Sequence, residues 1–443
     1  MSKTFREWNP QQSMLFPPSV LDLVPPGHVA HFIRDTVVED LDLTEILAAY
    51  TEERGYPPYH PVMMTALLLY SYSQGLYSSR RMARACEERV DVMAVTGMQR
   101  PDFRTINAFR QRHLAALQGL FVQVLRLCQQ AGLVALGHVA LDSTKIQANA
   151  SKHKAMSYGR MQKAEAELQA EVARWLKTAD ATDAQEDAEF GPDRRGDELP
   201  PWVANKQERL ARIRAAKAAL EAEARAAEAA KRAAAGPPPP GAKRGPKFKR
   251  PPETPPDKAQ YNFTDPESRL MKGADGFVQG YNAQVAVDGA HHIIVAQHLT
   301  TNASDVHQLL PLLDQVQRTL GRQPQEVSAD AGYCSESNVR ALRRRRIRGY
   351  IATGRQKHGH AAATRVPGVA PGPGVAAMQR RLRQGGHRSR YRLRKQIAEP
   401  VFGIIKQARG FRQFLLRGVR KVTGEWSLLC TSHNLLKLAG ACG

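Results

Sequence analysis

The sequence lacks any long apolar run and has few cysteines, and both absences narrow what the protein can be. No run approaches the roughly 18 apolar residues that a membrane-spanning helix requires, and the opening MSKTFREWNPQQ is polar, unlike a signal peptide. The five cysteines are odd in number and never spaced as CxxC, so neither a disulfide framework nor a zinc site is predicted. We therefore expect a cytosolic protein, not bound to membranes, in which any essential metal has the oxygen ligands that Mg²⁺ or Mn²⁺ prefers.

Acidic residues are scarce relative to basic ones. Of 443 residues, 64 are Lys or Arg and 42 are Asp or Glu, which gives a formal net charge of +22. A surface this basic attracts polyanions, and nucleic acid is the commonest partner of such a chain. The hydrophobic content of 42% is enough to build cores in two or three domains, so a disordered protein is excluded.

Residues 1–133 are predicted to form a helical DNA-binding domain. Apolar positions recur at three- and four-residue steps in PVMMTALLLYSYSQ and LAALQGLFVQVLRLCQQ. Shorter helical patterns between them begin with basic residues, which suggests a helix-turn-helix with one helix in the major groove. An ordinary helical bundle with solvated arginines is the alternative. The residues expected near phosphates are Arg80, Arg81, Arg104, Arg110 and Arg112.

The next part of the chain is predicted to be interrupted by an insertion. Residues 134–153 contain a first strand, GHVALDSTKIQ, and start a catalytic domain. Residues 154–258 are Ala-rich, charged helices, interpreted as an antiparallel pair, followed from Gly236 by a stiff, proline-rich basic linker. The remainder of the catalytic domain is predicted at 259–443.

The order of elements in the catalytic domain predicts its fold class. After the first strand come a hairpin that turns at Asp288-Gly289, a helix, a strand ending at Asp330, another strand and late helices. This is the order of a ribonuclease H-like core: an α/β domain with a mixed five-stranded sheet flanked by helices, three strands antiparallel and two parallel.

Three carboxylates are the candidate catalytic residues and metal ligands. In this fold the strands that carry Asp142 and Asp330 are neighbours, and Glu399, on a late helix beside Pro400, can complete a site for two divalent ions. Pro400 requires the helix either to kink there or to begin there.

Other polar residues in the same region have simpler explanations. Asp305 and Asp314 are interpreted as residues at the start and inside of a helix, and Glu425 as a helix-dipole partner. Asn282 and Gln284 alternate with apolar residues along a strand, where a solvent-facing position is favoured over an approach to the metal site.

Several stretches together resemble the DDE-class transposases of bacterial insertion sequences. They are ALDSTKIQANAS, ESRLMKGADGFVQGYNAQVAVD, SADAGYCSESN and YRLRKQIAEPVFGIIKQARGFRQFLLRG, and the N-terminal helical segments are similar to the domain that precedes the core in one group of these enzymes. The resemblance covers most of the chain except the Ala-rich insertion and its linker.

The resemblance implies roles for individual residues. Asp142, Asp330 and Glu399 would be the metal ligands. The family's tyrosine-arginine-glutamate-lysine signature maps onto Tyr391, Arg394, Glu399 and Lys406, which would contact DNA phosphates near the scissile bond. Four residues separate Arg394 from Glu399 where many members have three, so Lys395 is an alternative to Arg394.

The sequence thus predicts a metal-dependent transposase. It would bind the terminal inverted repeats of double-stranded DNA, cleave them and transfer 3′-hydroxyl ends to target DNA, with a homodimer on the DNA. A nuclease of the same fold that does not join strands, and an inactive DNA-binding relic, are the alternatives.

Overall fold

The computed structural model describes residues 19–51, 57–190, 201–235, 254–273, 276–354 and 371–442. It divides into two units: Met1–Ala148 together with Tyr281–Gly443, and Asn149–Gly280. Most of the predicted proline-rich linker lies outside the described residues. Among the described residues, no helix combines the length and apolarity that crossing a membrane requires.

The described residues of the first unit begin with seven helices, in agreement with the helical region predicted from the sequence. The longest two, α3 and α7, contribute most of the buried side chains, and the shorter α4 and α6 contact each other. Polar side chains cap the starts of some helices. At α6, for example, the Asp102 carboxylate accepts hydrogen bonds from the amides of Arg104 and Thr105. The seven helices are α1 (Val29–Glu39), α2 (Thr44–Leu47), α3 (Pro61–Ser73), α4 (Ser79–Glu88), α5 (Val90–Thr96), α6 (Phe103–Arg112) and α7 (Leu114–Gln130).

A mixed sheet follows, and its order is the one predicted for a ribonuclease H-like core. In the first unit the strands run in the order β6-β5-β1-β7-β8. The central β1 is parallel to β7, which is parallel to β8, whereas β5 and β6 are antiparallel. The strands are β1 (His138–Gln147), β5 (Gly276–Asp288, of which Tyr281 onward lies in this unit), β6 (Ile294–Thr300), β7 (Glu326–Ala329) and β8 (Arg348–Ile351).

The hairpin between β5 and β6 is confirmed, but its turn differs from the predicted tight pair. Five residues, Gly289–Ile293, separate the strands. Asp288 is fully buried, and its carboxylate accepts hydrogen bonds from the amides of Leu136 at 2.7 Å and Ala290 at 2.9 Å. Asp288 therefore fixes the chain that leads into β1 rather than forming the corner of a two-residue turn.

In the part of the first unit that the structure describes after the sheet begins, there are five α-helices, and the last of them joins the two halves of the unit. Helix α14 packs against α7 and α3 of the helical region and against β6 of the sheet. Within it, Asn434 exchanges two hydrogen bonds of 2.9 Å with the backbone of Ile294 in β6. The helices are α10 (Leu309–Leu320), α11 (Glu336–Arg344), α12 (Pro373–Gly385), α13 (Leu393–Gly403) and α14 (Val419–Cys442).

The second unit contains a helical pair and short strands. Helices α8 (Tyr158–Phe190) and α9 (Pro201–Ala235) are antiparallel, because Glu165 pairs with Arg214 and Lys217 whereas the later Glu171 pairs with the earlier Lys206. Their apolar positions form a small core that includes Met161, Leu168 and Ile213. Strands β2 (Ala155–Ser157) and β3 (Gln260–Asn262) pair with each other, and β4 (Arg269–Gly273) pairs with the first residues of β5.

Candidate active site

Asp142 and Asp330 lie on neighbouring strands at the centre of the sheet. Asp142 lies within β1, and Asp330 directly follows the last residue of β7. Because the parallel register pairs Leu141 with Ala329, the two aspartates occupy the next position on each strand. The structure therefore brings together two carboxylates that are far apart in the sequence.

Arg394 lies between Asp142 and Glu399. Its Nη1 donates to Asp142 Oδ2 over 2.7 Å, and its Nη2 lies 3.7 Å from Glu399 Oε1. The guanidinium is largely buried, whereas the side chain of Glu399 is 55% exposed. Glu399 is therefore connected to Asp142 through Arg394. Because the Glu399 side chain is exposed, its ion pair with Arg394 contributes little to the free energy of unfolding.

Arg394 is the basic residue that contacts the carboxylate of Asp142. Its alternative, Lys395, is exposed. Tyr391, in a 3₁₀ turn just before α13, is buried, with its hydroxyl beside the Arg394 guanidinium. Burial raises the pKa of Tyr391, so it is a neutral phenol that can donate a hydrogen bond.

Lys406 lies on the same face of β1 as Asp142. Its Nζ donates to Thr144 Oγ1 and lies 3.3 Å from the carbonyl oxygen of Lys145. Side chains two residues apart on a strand point the same way, so Thr144 and Asp142 share this face. Lys406 belongs to a π-helical turn, Ile404–Ala408, that directly follows α13.

Helix α13 does not begin at Pro400. It starts at Leu393 and continues to Gly403 with Pro400 inside it. The alternative that places Glu399 at a helix cap is therefore wrong.

Burial and like charge act on both aspartates. Burial raises the pKa of Asp142 to about 6; Arg394 opposes this rise, and Asp330 and Glu399 add to it. Burial also raises the pKa of Asp330, and the carboxylate of Asp305 adds to that rise. The site therefore concentrates negative charge in a place that water stabilises poorly, which favours the binding of cations.

The donor atoms suit a hard divalent cation, but their present spacing does not complete a site. Asp142 and Asp330 offer carboxylate oxygens, the ligands that Mg²⁺ and Mn²⁺ prefer. Within the described part of the chain, no three His, Cys, Asp or Glu side chains are close enough to hold an ion. Arg394 stands between Asp142 and Glu399, so a bound cation and the present Arg394 position compete for the same oxygens.

Three polar residues behind Asp330 have positions that the sequence interpretation missed. Asn282 and Gln284 are both 0% exposed, so the favoured solvent-facing position is wrong. Asp305 precedes α10 by several residues and does not cap it, because the N-cap position is Gln308. Both amides donate to Asp305 Oδ1 over 2.6 Å. The polar side chains that alternate along β5 were the available signal for this network.

Two other predicted roles are corrected by burial. Glu425 lies inside α14, is 0% exposed and accepts hydrogen bonds from the amides of Leu415 and Leu416, so it is not a partner at the helix start. Arg110 is 3% exposed and donates to the Tyr72 hydroxyl and the Tyr77 carbonyl, both over 3.1 Å. Arg110 is therefore an interior side chain and does not lie on a phosphate-facing surface.

The other basic residues of the helical region remain on the surface. Arg80, Arg81 and Arg104 are exposed, and the guanidinium groups of Arg80 and Arg104 lie 5.0 and 5.6 Å from the centre of the Phe103 ring. Arg112 is also exposed but donates to the carbonyl of Ala49 over 2.7 Å. Helices α4 and α6 thus present arginines around one aromatic ring, an arrangement suited to phosphates and bases.

Comparisons with known proteins find similarity to transposases. Residues 18–112 match the family model described as "Transposase domain (DUF772)", and residues 248–435 match the one described as "Transposase DDE domain". Over 83 residues the chain is 42% identical to a "Putative transposase for insertion sequence element IS402" of Burkholderia cepacia, which is 16% of this chain and 39% of that protein. The chain thus matches less than half the length of that relative, and no solved structure matches it.

The sheet order defines a ribonuclease H-like domain in which the two aspartates occupy adjacent positions on neighbouring strands. The two transposase domain models, matched in order along the chain, and the insertion-sequence relative together support a DDE transposase of an insertion sequence.

Proposed function

We propose that the protein binds the terminal inverted repeats of a mobile element, cleaves the DNA there and transfers the 3′-hydroxyl ends to target DNA. The observation that carries this proposal is the side-by-side position of Asp142 and Asp330, with Arg394 connecting Asp142 to Glu399. We also propose that it acts in the cytosol, at the nucleoid, as a homodimer that pairs two DNA ends.

The chemistry would be metal-dependent phosphoryl transfer. Two Mg²⁺ or Mn²⁺ ions held by Asp142, Asp330 and Glu399 would activate the attacking water or 3′-hydroxyl and stabilise the leaving oxygen. The half-exposed Glu399 suits this role, because its side chain can turn toward the aspartates without leaving a buried pocket.

Arg394 and Lys406 would bind the phosphates beside the scissile bond. Arg394 faces Asp142, so its guanidinium lies where paired hydrogen bonds would reach a phosphate held beside that carboxylate. Lys406 supplies a point charge on the same face of β1, and the neutral Tyr391 hydroxyl orients Arg394.

The helical region would bind DNA through the exposed arginines on α4 and α6. Arg80, Arg81 and Arg104 remain candidates for contact with DNA. Arg110 is no longer a candidate, because it lies in the interior. Because binding by lysine and arginine releases counterions from DNA, affinity should fall steeply as salt is raised.

The decisive experiment compares the wild-type protein with Asp142→Asn on DNA that carries the element's inverted repeats. In Mg²⁺, cleavage should fall roughly a thousandfold, since several kcal/mol of transition-state stabilisation are lost, while DNA binding in EDTA persists. The matched control is Asp314→Asn, which removes a half-exposed carboxylate on α10 and should cleave normally.

Cleavage by Asp142→Asn at the wild-type rate would refute the proposal. Supplying pre-nicked ends with a target plasmid then separates a transposase, which joins the ends, from a nuclease, which does not.

A further inference from the structure

Asp305 is held firmly by side chains from two strands. It lies between β6 and α10 and is only 9% exposed. Its Oδ1 accepts hydrogen bonds from Asn282 Nδ2 and Gln284 Nε2, both over 2.6 Å, and lies 3.3 Å from Lys145 Nζ. Because several donors contact one oxygen of this carboxylate, the orientation of the whole group is fixed. The direction in which the second oxygen, Oδ2, points is therefore fixed as well.

The second oxygen of Asp305 faces the turn that carries Asp330. An ideal Cβ added to Gly332 would lie 3.0 Å from Asp305 Oδ2 and 3.1 Å from Asp330 Oδ1. The carboxylates of Asp305 and Asp330 therefore lie on the same side of this turn, and both are close to the position that a Cβ of residue 332 would occupy. Asp330 is itself fixed there, because its Oδ1 accepts a hydrogen bond of 2.9 Å from the Gly332 amide.

Further hydrogen bonds connect the Asp305 loop to this turn. Asn338 Nδ2 donates to the Val306 carbonyl over 2.6 Å and to the Tyr333 carbonyl over 2.8 Å. The hydroxyl of the buried Tyr333 donates to Gln284 Oε1, which places the same amide between the turn and Asp305. A displacement of Asp305 would consequently be transmitted to Asp330.

The charge of Asp305 is only partly neutralised. Among the described residues, two of its three donors are neutral amides, and the third, the cation Lys145, lies at the longest distance. Its field therefore extends to Asp330 and adds to the negative potential in which a metal would bind.

We infer that Asp305 is a fourth carboxylate of the active site, a positioning residue that orients Asp330 and whose charge strengthens the binding of a divalent cation beside it. This inference rests on the proposed function, because it assumes that Asp142 and Asp330 hold the metal.

The test measures binding of Mn²⁺ alone to the metal-free, full-length protein, with free Mn²⁺ counted by electron paramagnetic resonance. Asp305→Asn keeps the shape of the side chain and removes its charge, so the Mn²⁺ dissociation constant should rise about tenfold or more. Lys145→Met removes the opposing cation, so Mn²⁺ should bind more tightly than to the wild type. Asp314→Asn is the control and should bind Mn²⁺ as the wild type does.

A merely structural role predicts a different pattern. Changes in packing would weaken Mn²⁺ binding in both the Asp305 and the Lys145 variants and lower their melting temperatures in EDTA, whereas a charge effect has opposite signs in the two. Unchanged binding in Asp305→Asn, or weaker binding in Lys145→Met, overturns the inference. If Asp305→Asn does not fold, the sign of the Lys145→Met effect decides alone.

Failure of the inference differs from failure of the proposed function. If the wild-type protein binds no Mn²⁺ and Asp142→Asn still cleaves DNA, the metal mechanism itself is wrong. If the wild type binds Mn²⁺ and requires Asp142, but the Asp305 and Lys145 variants bind Mn²⁺ equally well, only the role of Asp305 is refuted.

Discussion

The raised pKa of Asp142 predicts that the metal-free protein loses stability as pH rises toward neutrality. In the folded chain burial raises the pKa of Asp142 to about 6, against an ordinary value of 3.8 that we take for the unfolded chain. The folded state therefore binds this proton more tightly than the unfolded state does. The resulting stability is fully present below pH 3.8 and is lost as pH rises through 6.

The size of this loss follows from the two pKa values. Each pH unit between them is worth about 1.4 kcal/mol, so the free energy of unfolding contributed by Asp142 should fall by about 3 kcal/mol in total from below pH 3 to pH 7.5. This amount is a large fraction of the stability of a typical domain. It also explains why a cation that binds the ionised carboxylates should stabilise the folded chain at neutral pH.

Urea unfolding of the wild type and of Asp142→Asn in EDTA, at several pH values, isolates this term. Titrating groups away from the site act on both proteins and cancel in the difference, whereas the asparagine side chain does not titrate. The wild type should lose about 3 kcal/mol relative to the variant as pH rises. A difference that is independent of pH, or that changes in favour of the wild type, would show that Arg394 outweighs burial at Asp142 and would refute the reasoning.

Two further predictions test the packing around the site and the corrected role of Arg110. Gly332→Ala places a methyl group 3.0 to 3.1 Å from oxygens of Asp305 and Asp330, so cleavage should fall about tenfold while the melting temperature changes by only a few degrees; normal cleavage would contradict the tight packing of this turn. Arg110→Ala removes a buried cation near Glu425 and should lower the free energy of unfolding by about 3 kcal/mol or more in urea. In contrast, Arg104→Ala should weaken DNA binding with little effect on stability. If Arg104→Ala instead lowered stability and Arg110→Ala weakened DNA binding, the interior role of Arg110 and the DNA-binding role of Arg104 would both be refuted.

Much of the fold was predictable because its signals are local. The apolar run of α3, the apolar periodicity of α7 and the alternation along β5 depend only on residues a few positions apart. The order of strands and helices then left a ribonuclease H-like sheet as the simplest arrangement. Asp142 and Asp330 could be selected because each lies in or directly after a strand of that sheet.

Other features depended on contacts between distant segments, which no local pattern encodes. Arg110 has the sequence context of a surface arginine, and only the packing of α6 against the neighbouring helices decides that its guanidinium meets Tyr72 instead of solvent. The choice of Arg394 over Lys395 likewise depends on the rotation of α13 above β1.

By itself, the sequence determined the class of fold, the basic character of the surface and the acidic residues available for chemistry, since these follow from composition and short-range periodicity. Only the tertiary structure decided that Arg394 connects Asp142 to Glu399 and that Asp305, Asn282 and Gln284 stand behind Asp330. The physical reason is that a buried polar side chain is defined by its partners. Those partners come from strands and loops that are brought together when the sheet forms.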